Sequence, residues 1–93
     1  MSPLRLSLLS ALANVARGGS TDHDELIAIA GPEQAKRAFV EGESEAYWAL
    51  WRWADDVDIR AKEPGGTYDK LQRTILNELH NRLADIWGPK ADA

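Results

Sequence analysis

The stretch TYDKLQRTILNELHNRLADIW, residues 67–87, decides the fold. Its apolar residues Tyr68, Leu71, Ile75, Leu76, Leu79, Leu83, Ile86 and Trp87 recur with a period near 3.6 and form one broad stripe. Thr67 stands where a capping hydroxyl is wanted, and Gly88-Pro89 closes the segment with residues that cannot continue it. The periodicity predicts a helix over 68–87. Upstream, Pro64-Gly65-Gly66 is the clearest loop in the chain.

The rest of the chain punctuates itself in the same way. Ser2-Pro3 opens a helix whose Leu4, Leu8, Leu12 and Val15 share a face, with Leu6 off that stripe, and Gly18-Gly19 ends it. Ser20-Thr21 with Asp22, Asp24 and Glu25 reads as a second N-terminus, followed by the apolar residues Leu26, Ile27, Ile29 and Ala30. Gly31-Pro32 is expected to stop that helix and to open a third, which carries Ala35, Ala38 and Phe39 inward and ends near Gly42. Ser44 can cap a fourth helix running to about Arg60. No alternating strand pattern appears. The expectation is a single all-α domain over 1–93, a compact bundle of four to five helices at about 3–17, 22–30, 32–41, 45–60 and 68–87, with two long C-terminal helices and no sheet. Leu8, Leu12, Leu50, Val57, Leu71, Ile75, Leu79 and Leu83 are expected to be buried together.

Composition narrows the function classes. The chain has no cysteine, so neither disulfides nor thiolate metal sites can supplement a core that is small at 93 residues. No apolar run approaches the ~20 residues that span a bilayer. Arg5, the stretch from Leu6 to Leu12 and the small residues Ala11 and Ala13 loosely imitate a secretory leader, but Ser7, Ser10 and Asn14 interrupt them. An ordinary first helix and a cytoplasmic location are expected. Fifteen acids against eleven bases give a net charge of −4. From Glu41 to Asp58 there are six acids and one base, Arg52, whereas Ile59 to Ala93 is nearly balanced. That asymmetry repels phosphates locally and attracts basic protein surfaces, although charge of this kind also serves as a plain solubilising face.

Few residues could carry chemistry. His23, between Asp22 and Asp24, could ligate a metal or form an acid–base pair, but acids are expected there for capping, and neighbours in a first turn point apart. His80 lies at the edge of the last helix's stripe, as a boundary histidine with a wet tip does. Asp55, Asp56 and Asp58 are the densest acids, yet the spacing and glycine turn of a calcium loop are missing. Neither glycine pair follows a strand, so neither is a phosphate loop. The expectation is no catalysis, no cofactor and no metal. For nucleic acid, Leu26 to Val40 offers a short helix, a glycine turn and a second helix with Gln34, Lys36 and Arg37, the outline of a helix–turn–helix. Pro32 opens that second helix, Glu33 and Glu41 bracket it, and the following segment is acidic, so duplex DNA binding is not expected.

The most informative segment for function is EAYWALWRWADDVD, residues 45–58, which holds three of the four tryptophans. In a regular helix, Tyr47, Leu50, Ala54 and Val57 form the core stripe and Trp51 and Trp53 flank it. Trp48 falls opposite, with Arg52, Asp55 and Ile59. Such a tryptophan is covered by the rest of the chain, by a second copy, or by a foreign partner for which aromatics rimmed by charge are the usual anchors. In composition alone, the chain resembles the short, acidic, cysteine-free proteins with which phages block host nucleic-acid machinery, anti-CRISPR proteins among them. The resemblance carries no residue across, but it implies a mechanism in which acids occupy a basic groove meant for nucleic acid. The leading expectation is a non-catalytic interaction protein that docks an acidic, tryptophan-rich helix on a basic protein partner through Glu41, Glu45, Trp48, Trp51, Arg52, Asp55, Asp56 and Asp58. A small helix–turn–helix regulator and a homo-oligomeric assembly subunit, possible as a homodimer, are the alternatives.

Overall fold

A computed structural model of the chain describes residues 3–36, 42–63 and 66–88. Five helices account for most of them: α1 (Pro3–Ala16), α2 (His23–Lys36), α3 (Glu43–Asp55), α4 (Val57–Lys62) and α5 (Thr67–Trp87). Among the described residues there is no strand, and the all-α bundle expected from the sequence is what the chain forms.

α1 and α5 lie side by side along most of their length, and α3 packs across both. Their directions follow from the contacts at their ends. Arg5, at the start of α1, sits 5.0 Å from the ring of Trp87 at the end of α5, whereas Val15, near the end of α1, is reached by Arg73 from the first half of α5. The two helices are therefore antiparallel. Arg5 also bonds Glu43 at the start of α3 at 2.9 Å, so α3 runs alongside α1 in the same sense and opposite to α5. Leu8, Leu12 and Val15 of α1, Leu26 of α2, Leu50 and Trp53 of α3, and Leu76, Leu79, Leu83 and Trp87 of α5 close the core. The expected Leu8, Leu12, Leu50, Leu79 and Leu83 are all in it.

The helix ends show ordinary chemistry. Gly18, at φ +104°, terminates α1 in the left-handed region. The Asp22 carboxylate accepts the backbone N–H of Glu25 at 2.8 Å, a capping bond at the start of α2. Gly42, at φ +90°, precedes α3, and an added Cβ there would come within 3.2 Å of Leu83 and Trp87. Only glycine lets the chain turn so close to the end of α5. The caps expected from Ser44 and Thr67 are not used, since α3 and α5 start from Gly42 and Gly66 without a side-chain capping bond.

Three expectations need correction. Gly31-Pro32 does not divide two helices, because α2 runs through both to Lys36. Proline removes one donor, the N–H that would meet the Ala28 carbonyl, and glycine permits a turn without imposing one. The expected inward residues Ala38 and Phe39 lie outside the described residues. The fourth helix does not run unbroken to Arg60: it breaks at Asp56, so that α3 and the short α4 follow one another in its place. Asp56 is held by α5, accepting hydrogen bonds from the Tyr68 hydroxyl and the Gln72 amide, and its φ −89°, ψ 15° takes it out of the helix. Finally, Val57, Leu71 and Ile75 are exposed instead of buried, as are Leu6, Ile27 and Ile86. The stripe of α5 is wider than the surface that α1 and α3 offer it, so one edge is covered and the other is left out.

Candidate interaction surface on the third helix

At ~100° per residue, Ala46, Leu50, Trp53 and Ala54 turn α3's apolar face to the core, and Trp48, Arg52 and Asp55 must then point away. Trp48 is 52% exposed. It is not isolated. Its ring meets Tyr47 edge-on at 5.0 Å and Trp51 edge-on at 5.9 Å, and Tyr47 lies 5.9 Å from Trp51. These offset and edge-to-face arrangements are the preferred geometries of aromatic pairs and hold the indoles in place. Tyr47 is itself buried, which pushes its hydroxyl above the ordinary value of 10.0 and keeps it neutral.

The far end of the panel is closed by a residue that sequence reasoning had set aside. His23, in the first turn of α2, packs tilted against Trp51 with ring centroids 4.4 Å apart and makes a 2.7 Å hydrogen bond from its Nε2 to Asp55. Histidine, indole and carboxylate thus pin the start of α2 to the end of α3. No spacing rule could find this pairing, because the two residues are 32 positions apart and meet only through the fold.

The structure distributes the remaining expected site residues over three places. Asp55 belongs to the aromatic panel, and Asp58 is exposed on α4 beyond it. Asp56 turns inward to Tyr68 and Gln72. Glu45 and Arg52 lie on the α5 side of α3. Glu45 pairs with Arg82, and Arg52 lines a hollow of about 100 Å³ with Ala49, Trp53, Gln72, Ile75 and Leu76. Glu41 lies outside the described residues. The acids therefore do not form one free negative surface, since most of them are spent on links between helices. Among the described residues no cluster of His, Asp or Glu has the arrangement of a metal site. A larger open trough of about 520 Å³ runs between α1 and α5; among the described residues that line it, His80 and Arg17 are the ionisable ones, and His80 bonds the neighbouring Asn81 side chain.

The helix–turn–helix outline fares differently. Its turn was to be Gly31-Pro32, which lies inside α2, and Arg37 lies outside the described residues. No family model matches the sequence, and neither the curated proteins nor the solved structures give a match. No helix of the described residues is long and apolar enough to cross a membrane.

Proposed function

We propose that the chain is a non-catalytic protein-interaction module that docks the outward face of α3 on a basic surface of a protein partner. The observation that carries this reading is Trp48, an indole half exposed on an outward helix face and backed by Trp51 and Tyr47. Leaving such a surface in water forgoes burial of a large apolar side chain, and rigid aromatics of this kind are the usual anchors of interfaces. Asp58, exposed on α4 beyond the aromatic panel, favours a cationic counterpart: one arginine or lysine from the partner can lie over the indole face while another cation meets this carboxylate. Because Glu43, Glu45, Asp55 and Asp56 already have partners inside the chain, the indole supplies most of the affinity and Asp58 mainly steers. A basic groove of the sort that nucleic-acid-binding proteins present is the complementary surface, and occupying it would block nucleic acid.

Affinity capture with the intact chain and with Trp48→Ala tests the proposal. The substitution is expected to leave the melting temperature within a few degrees, because exposed substitutions usually shift stability by about 0.5 kcal/mol or less. It should weaken binding of the captured partner by about 2 kcal/mol, roughly thirtyfold. Asp58→Lys should slow association and change its salt dependence while dissociation stays near that of the parent. A Trp48→Ala protein that binds as before, or that no longer folds, would remove the anchor from the surface and the proposal with it.

A further inference from the structure

The uncovered edge of α5 is a second surface, separate from the aromatic panel. Leu71, Ile75, Glu78, Arg82 and Ile86 follow one another at intervals of four, three, four and four residues. At ~100° per residue all five fall within about 80° of each other on the helix. The three aliphatic members are 53%, 50% and 64% exposed, while Leu76, Leu79 and Leu83, a step further round, are buried. Glu78 makes no ion pair among the described residues, and Arg82, itself half exposed, reaches across to Glu45. Along the stripe the order is thus two aliphatics, an acid, a base and an aliphatic.

We propose that this stripe is the interface of a two-fold symmetric homodimer, with α5 packed antiparallel against α5 of a second copy. The ground for choosing a second copy is that the stripe from Ile75 to Ile86 is its own complement, while Leu71 lies beyond the reach of the second copy's α5, which ends at Trp87. With the two-fold axis at the level of His80, residue numbers facing each other add up to about 160. Glu78 then faces Arg82 of the second copy, and Arg82 faces its Glu78, so opposite charges meet twice about the axis. Ile75 falls within one residue's rise, ~1.5 Å, of facing Ile86 of the second copy, again twice. A parallel pairing would set Glu78 on Glu78 and Arg82 on Arg82, and that repulsion selects the antiparallel arrangement. The stripe offers five side chains, far fewer than the roughly 20–30 residues a side of a standard interface, so the dimer is a weak one, forming in the micromolar range or above.

Sedimentation or light scattering from about 10 µM to about 1 mM tests the proposal, over the range where such an equilibrium shifts. The weight-average mass is expected to rise toward twice that of the monomer. Ile75→Asp and Ile86→Asp should each hold it at the monomer value with the helical spectrum unchanged. Glu78→Arg should weaken association, because it sets a cation against Arg82 of the second copy, whereas Glu78→Gln should weaken it less. Trp48→Ala should leave the dimer intact, which separates this surface from the α3 face. Should the aspartate variants fail to fold, a nitroxide at Lys70→Cys gives the geometry directly. The two labels lie roughly 30 Å apart along the axis in the antiparallel pair and side by side in a parallel one. A wild-type chain that stays monomeric at about 1 mM, a dimer that survives Ile75→Asp, or labels held side by side would each overturn the proposal.

Discussion

Tyr68 donates its hydroxyl proton to the Asp56 carboxylate, and Gln72 adds a second donor to the same oxygen at 3.0 Å. A hydrogen bond from the neutral phenol to a carboxylate stabilises the protonated tyrosine, so the pKa of Tyr68 lies above its ordinary value of 10.0, with burial acting in the same direction. The linkage has a definite sign. A folded-state pKa above the unfolded one contributes stability that is fully present below about pH 10 and is lost as pH rises through the folded value. The melting temperature of the native chain is therefore expected to fall more steeply between about pH 9 and 12 than that of Tyr68→Phe. Parallel alkaline profiles for the two proteins would show that the phenol is not held by Asp56. Beside this pair, Arg60 lies 3.6 Å over the ring of Trp53 and bonds Gln72 at 2.7 Å. Burial pushes its guanidinium below the ordinary arginine value, and the carboxylates of Asp69 and Asp56 act against that shift.

At the scale of the helix, α5 separates residues that look alike in sequence. Ile75 and Leu76 are neighbours, both aliphatic and both within the periodic stripe, yet one is half exposed and the other buried. Leu76→Ala is expected to cost about 2–5 kcal/mol because a cavity opens where α1 and α3 meet α5. Ile75→Ala, measured at low micromolar concentration where the chain is monomeric, should cost under about 1 kcal/mol. Thermal unfolding of the two variants compares them directly, and equal losses would mean that the covered edge of α5 has been misassigned. The period of the stripe identifies a helix and its apolar side. It does not say how many neighbours that side will find, and the 3.6 pattern of α5 is satisfied by a face wider than two helices can cover. The same holds for α3. Its regular continuation would bury Val57, but the two hydrogen bonds from α5 to Asp56 break the helix one residue earlier and leave Val57 in water.

Across the whole molecule, Arg73 ties distant parts of the chain together. Its guanidinium donates to the carbonyls of Val15 and Gly19 at 2.6 and 2.8 Å, so that it satisfies the end of α1 from the middle of α5. Asp69, one turn earlier, holds it in place at 3.1 Å, and the Trp53 ring lies 5.5 Å away on the α3 side. Three helices thus converge on one cation. Arg73→Met keeps the aliphatic stem and deletes these bonds, and it should lower stability by about 2 kcal/mol, a drop of roughly 8–16 °C in melting temperature. Arg73→Lys should recover little of that loss, because one ammonium cannot reproduce the planar fork that reaches two carbonyls and a carboxylate together. Full rescue by lysine would mean that a charge alone suffices at this position.

The sequence by itself determined the all-α class, the ends of α1, the length of α5 and the outward direction of Trp48. These follow from local rules: hydrophobic period, glycine and proline punctuation, and the rotation of successive residues about a helix axis. The tertiary structure alone decided which edge of α5 is covered, where α3 stops, and that His23 closes the aromatic panel against Asp55. It also decided that most acids of the 41–58 segment are engaged with Arg5, Arg82, His23, Tyr68 and Gln72 instead of forming one free surface. Each of these outcomes depends on groups 12 to 58 residues apart meeting in space. The free energy of such a meeting belongs to the pair and its surroundings, and neither residue carries a trace of it in its own neighbourhood along the chain.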